Sequence, residues 1–134
     1  MKTWTRRSLA FGGFVVGSAI GLGAAKFTCG FISLTQSDNP TVVLLANLYP
    51  ASDVVKLFGR TYLDQTGETA ADSLRRIECH ERIQRALSSR CPKVIFSALD
   101  HVSRADFHAG RTFCIDQWVM SQTELDVAAV CTLA

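Results

Sequence analysis

Asp106-Phe107-His108-Ala109-Gly110-Arg111-Thr112-Phe113-Cys114-Ile115-Asp116-Gln117-Trp118-Val119-Met120-Ser121-Gln122-Thr123-Glu124 holds a helix end, a turn between two short strands and a helix start. Gly110 punctuates a helical pattern that begins at Pro92. Val94, Ile95, Ala98, Leu99, Val102 and Phe107 are its inward positions, and Pro92 is acceptable in a first turn. Thr112 to Met120 is rich in β-branched, aromatic and apolar residues, with Asp116-Gln117 as a two-residue turn that lacks the usual glycine. Ser121 with Glu124 three residues on is a capping box that opens a last helix through Leu125, Ala128, Ala129 and Leu133.

Working towards the N-terminus, Thr69 with Asp72 is a second box, with Asp in place of the usual Glu, and predicts one helix to about Leu87. Leu74, Ile77, Ile83 and Leu87 are taken as its apolar stripe, and Glu78 with Arg82 and Glu81 with Arg85 as charge pairs on a solvated face. Ser52 and Asp53 offer caps for a helix carrying Val54, Val55, Leu57, Phe58, Tyr62 and Leu63, ended by Gly67. Thr41 to Tyr49 is a short apolar stretch before Pro50, and residues 26–40 read as a tether. The expected fold is mainly α: four to five helices over residues 41–134, with a short β-hairpin before the last helix.

The first 25 residues are a different object. Lys2, Arg6 and Arg7 precede an uncharged run from Ser8 to Ala25 that contains five of the nine glycines. That is a basic region followed by a moderately apolar one, the pattern of an export leader. Thr5-Arg6-Arg7-Ser8-Leu9 resembles the twin-arginine motif, with Arg6 and Arg7 as the paired arginines. A permanent anchor is the first competing reading, but Leu9 to Ala25 would span only about 25 Å as a helix. A buried core helix is the second, and the glycines and the basic flank disfavour it. Export places the chain in the periplasm, or on the inner membrane facing the periplasm if residues 8–25 stay attached. Without residues 1–25 the chain keeps 109 residues, 11 of its 14 basic side chains and all 12 acids, a net charge of −1. A slightly acidic domain of this size is no nucleic-acid surface and leaves no room for a second domain.

The chemistry-bearing residues are sparse. Cys29, Cys79, Cys91, Cys114 and Cys131 contain no C-x-x-C, which excludes ribbon-type zinc, thioredoxin-like and c-type haem sites. Cysteines in an exported chain usually pair, and Cys79 with Cys91 is the expected disulfide, with Cys114 and Cys131 as buried small side chains. His80, His101 and His108 are spaced unsuitably for one metal ion. The P-loop, the dinucleotide fingerprint, G-x-S-x-G and H-E-x-x-H are missing. No cofactor, metal or catalytic residue is therefore expected. Asp106, Arg111 and Trp118 are the candidate partner or ligand contacts, Trp and Arg being residue types that interfaces favour. In the alternative, structural reading Phe107 and Trp118 anchor a small core and Arg111 pairs with Asp116 across the hairpin.

The block from Asp106 to Glu124 resembles the C-terminal part of small bacterial proteins with twin-arginine leaders, whose pattern is roughly D-F-x-x-G-R, a strand pair with V-D-G-W, then L-S-x-T-E and a final helix. Gln117 stands where that pattern has glycine. Phe58-Gly59-Arg60-Thr61-Tyr62-Leu63 is similar to the first amphipathic helix of the same proteins. The resemblance implies export and a helical architecture, and it names no reaction. In size and layout the chain is also similar to the small leader-bearing subunits of membrane-associated bacterial sugar and alcohol dehydrogenases. Two roles follow as expectations. One is a non-catalytic accessory subunit that takes a larger oxidoreductase through the twin-arginine machinery. The other is a stand-alone envelope protein with a structural or binding role.

Overall fold

The computed structural model describes residues 39–49 and 53–134. The leader, with Arg6, Arg7 and residues 8–25, lies outside the described residues. Helix α1 spans Pro40–Leu48, α2 Asp53–Thr66, α3 Ala70–Cys79, α4 Glu81–Ser89 and α5 Pro92–Ala109. Strands β1 (Thr112–Ile115) and β2 (Trp118–Ser121) form an antiparallel hairpin, and α6 runs Gln122–Cys131. The fold is mainly helical with the hairpin before the last helix, as the sequence predicts.

The helix starts follow their capping residues. Asn39 Oδ1 accepts from the Thr41 and Val42 amides at 2.9 and 3.3 Å, satisfying donors that the first turn of α1 leaves open. Thr69 with Asp72 and Ser121 with Glu124 form complete capping boxes. Gly110 ends α5 with φ 73°, and Gly67 follows α2 with φ 71°. In the hairpin turn Asp116 and Gln117 have φ 47° and 71°. That is the signature of a type I′ turn, built here without glycine.

One expected helix is two. The stretch from Thr69 to Leu87 breaks at His80, whose backbone is extended between α3 and α4. A straight helix turns about 100° per residue, so Ile83 would sit about 120° from Ile77 and about 180° from Leu74. The break turns Ile83, Ala86 and Leu87 onto α5 while Ser73 and Ile77 stay against α6. Glu78 and Arg82 fall on opposite sides of the break; Glu78 instead accepts from Asn39 Nδ2 at 3.1 Å. Glu81 and Arg85 do pair within α4, at 2.5 Å.

Helix α6 is the centre of the molecule. Every residue from Thr123 to Cys131 is buried, because the helix faces two apolar clusters at once. The larger joins Val127, Ala128 and Val130 to side chains of α1 to α5. The smaller, under the hairpin, joins Leu125 and Ala129 to Tyr62, Ile115 and Met120, with Phe113 and Trp118 packed against it. The ring of Tyr62 meets that of Phe113 edge-on at 5.3 Å. Phe107 belongs to neither cluster.

The inward stripe of α2 is Val55, Gly59 and Tyr62, at helical spacing. Val54 and Leu57 lie off that stripe, Val94 lies beside the stripe of α5, and Leu133 lies beyond the end of α6; all four are exposed rather than inward. Gly59 marks the closest approach. A Cβ there would stand 2.3 Å from the Ala128 carbonyl oxygen, so α2 seats on α6 by having no side chain at that point.

Substituting Gly59→Ala should lower stability by about 2–3 kcal/mol through overpacking, despite alanine's better helix propensity. In a domain of this size thermal unfolding should then fall by roughly 10–20 °C. An unchanged or higher melting temperature would remove the close approach from the account. Gln117→Gly should act in the opposite sense, adding about 1 kcal/mol by relieving a positive-φ side chain. Urea denaturation of the variant checks this, and a lower midpoint would exclude the type I′ turn.

Candidate functional site

The site grows out of the α5 to α6 connection. Gly110 turns the chain back, so that the Arg111 amide bonds to the Asp106 carbonyl at 2.9 Å and the Gln122 amide to the Arg111 carbonyl at 3.0 Å. Asp106 is thereby set against the start of α6. Its Oδ2 accepts from the amide and the hydroxyl of Thr123, at 2.8 and 2.6 Å. Its Oδ1 accepts from Arg111 Nε at 2.8 Å. A carboxylate only 3% exposed is thus matched by three donors, one cationic, beside the positive end of a helix.

Asp106 and Arg111, two of the three candidate contacts, come together; Trp118 does not join them. Trp118 pairs with Ile115 near the hairpin tip and packs on the smaller cluster. The expected pairing of Arg111 with Asp116 gives way to Asp106, because Gly110 brings the guanidinium back to the helix it has just left.

The second half of the site is a network that the charge pattern did not reveal. Arg76, on the same charged stretch as Glu78 and Glu81, points at α6. Its Nε and Nη2 donate to Asp126 at 3.0 and 2.8 Å, and its Nη1 donates to Glu68 Oε1 at 3.1 Å. Arg76 Nη2 and Gln122 Nε2 both donate to the Tyr62 hydroxyl, at 3.0 and 2.6 Å, and that hydroxyl donates to Glu68 Oε2 at 3.0 Å. The signal for this network is Asp126 itself, a lone carboxylate inside the apolar run Leu125 to Cys131, which demands a cation from elsewhere. The pairing, with Asp126 first, holds Arg76 firmly protonated. Arg76 in turn draws the Glu68 carboxyl below its ordinary range. Burial raises the Tyr62 phenol to about 12.

Between the two halves lies a cleft of about 280 Å³. Ile77, Ile83 and Val102 line it with apolar surface, and Asp106, Arg111 and Asp126 with charge. Its carboxylates are engaged by neighbouring donors, which disposes them to hold side chains in place rather than to abstract a proton.

Glu124 stands apart from the cleft. Its Oε2 accepts from the Ser121 amide at 2.8 Å, and Ser121 Oγ meets Ser103 Oγ at 2.8 Å. Glu124 Oε1 is buried with no hydrogen-bond partner among the described residues. Burial, helped by the nearby carboxylates of Asp106 and Asp100, pushes this carboxyl up to about 7.

The remaining residues of interest are dispersed. Cys79 is an exposed free thiol, whereas Cys91 is disulfide-bonded, so the Cys79–Cys91 pairing is incorrect. The reason is mechanical. Nine-residue α4 separates the two, a rod of about 13 Å where a disulfide tolerates a Cα separation of no more than about 7 Å. Cys131 is buried as expected, and burial pushes its thiol up to about 12; Cys114 is exposed on the outer face of the hairpin. His80, His101 and His108 are exposed. Among the described residues no three His, Cys, Asp or Glu side chains are placed to hold a metal ion. Compared with family models, curated proteins and solved structures, the chain matches none of them.

Glu124 generates a pH dependence with a definite sign. A carboxyl whose folded value of about 7 exceeds its ordinary 4.5 takes up a proton on folding between those pH values. Stability therefore falls as pH rises from about 4.5 to 7, by on the order of 3 kcal/mol at most, and levels off above. Glu124→Gln keeps an acceptor for the Ser121 amide and removes the ionisation. Urea titrations from pH 5 to 8 should show this part of the slope abolished and the variant more stable than the parent above pH 7.5. Identical slopes in the two proteins would place the Glu124 carboxyl in its ordinary range.

Proposed function

We propose that this chain is an exported, non-catalytic accessory subunit of a larger periplasmic or membrane-associated enzyme, by preference a redox enzyme, and that it carries the twin-arginine leader for the pair. The observation that carries this reading is Arg6-Arg7 followed by an uncharged, glycine-diluted segment ahead of a small helical domain. The twin-arginine machinery is the first partner this implies. It handles folded and often cofactor-loaded cargo, and the leader of a small subunit serves a larger one that lacks its own.

The domain supports the same reading. Its acids Asp106 and Asp126 are spent on internal pairs. Exposed apolar side chains are available where α2 begins and the chain ends. Val54 and Leu57 lie three apart on one face of α2; between them in sequence, Lys56 donates to the Ala134 carbonyl at 3.0 Å, beside exposed Leu133. An apolar patch with a polar edge suits docking onto a protein. Among the described residues no helix is long and apolar enough to cross a membrane. In this reading, residues 8–25 make any membrane contact, provided they stay attached.

Replacing Arg6 and Arg7 by Lys should leave the chain in the cytoplasm and strand there a larger enzyme that has no leader of its own, read by fractionation and mass spectrometry. Affinity capture from periplasm and membranes should recover that enzyme with the parent chain, and Leu57→Asp should lose it while folding normally. Unchanged export would refute the twin-arginine route. Recovery of the chain alone would support a stand-alone envelope protein instead.

A further inference from the structure

We propose that the cleft between α3, α5 and α6 is a binding site for a small monocarboxylate with a short apolar chain, received by the terminal nitrogens of Arg111. The guanidinium is anchored on one side only. Nε donates to Asp106, while Nη1 and Nη2 make no hydrogen bond among the described residues, and the side chain is 56% exposed at the cleft. Asp106 is itself buried and fixed by the two donors of Thr123. The fork is therefore held in place before any ligand arrives, and binding costs little side-chain freedom. Two parallel N–H donors on one edge match the two oxygens of a carboxylate.

The surroundings select the ligand's charge and shape. Arg76, the other cation at the cleft, is saturated by Asp126 and Glu68. Asp106 and Asp126 balance Arg76 and Arg111, so the attraction is local to the unpaired edge of Arg111, which suits one negative charge and disfavours a phosphate dianion. The apolar part of the lining is Ile77, Ile83 and Val102, which receives carbon rather than further polar groups. A volume of about 280 Å³ lies at the lower limit of small-molecule pockets, which limits the occupant to a few carbons. The site is independent of the accessory-subunit reading, since it needs neither the leader nor a partner.

Isotope-labelled full-length chain is titrated with butyrate, acetate and inorganic phosphate at constant ionic strength in chloride, following the Arg111 Nε–H and Thr123 amide signals by NMR. Butyrate should give a saturable shift, acetate should bind several-fold more weakly, and phosphate roughly tenfold more weakly or worse. Arg111→Lys keeps the charge but loses the two-nitrogen edge, and should weaken butyrate at least about tenfold. His80→Trp, at an exposed position on the cleft wall, should block butyrate while leaving the fold intact and so guards against a merely unstable Arg111 variant. Non-saturable shifts, a preference for phosphate, or butyrate binding unaffected by both substitutions would overturn the proposal.

Discussion

The burial of α6 along its whole length from Thr123 to Cys131 is the constraint on which the rest of the structure depends. A ten-residue helix with apolar surface on two sides cannot be satisfied by one neighbouring layer, so α1, α2, α3, α5 and the hairpin all pack on it. Enclosure on that scale has two costs. The helices must approach closely, which Gly59 permits by presenting bare backbone to Ala128. The polar groups of α6 must also find partners within the protein. Asp106 serves the first turn, Arg76 and Gln122 serve Asp126, and Glu124 closes its own cap with Ser121. The polar network around the cleft is the by-product of burying that helix.

Most elements were legible because their signals are local. Ser121 with Glu124, Thr69 with Asp72, Pro92 and Gly110 each mark a helix end through a backbone group that must be satisfied within a few residues, and each stands where its chemistry places it. The hairpin was legible even with Gln117 in a turn that prefers glycine. What escaped the sequence is relational. Periodicity shows only that Ile77 and Ile83 cannot share one face of a straight helix; it does not locate the break at His80 or name the neighbours each side faces. Charge spacing along one helix says nothing of Arg76, because its partner Asp126 is fifty residues away. Cysteine separation along the chain suggested Cys79 with Cys91, but the nine-residue helix between them holds the two apart and forbids the bond.

Of the candidate site, the pairing of chemistry to position was half visible. Asp106 and Arg111 were singled out and do meet, but through the reversal at Gly110, which brings residue 111 back over residue 106. Trp118 was drawn into the same candidate site by residue type, and its environment is the apolar underside of the hairpin. The buried acids Asp106 and Asp126 are engaged in internal pairs, and Val54, Leu57, Val94 and Leu133 stay exposed. Those features support the proposed accessory role without excluding the stand-alone one, and Arg111 is left as the group that has donors to spare.

Native-state amide hydrogen exchange tests the central place of α6 most directly. If the helix is enclosed as described, the amides of Leu125 to Val130 should exchange only through global unfolding, with the free energy measured by denaturant, while those of α4 and the hairpin tip open at lower cost. Exchange of the α6 amides through a local opening, well below the global free energy and ahead of α4, would contradict it.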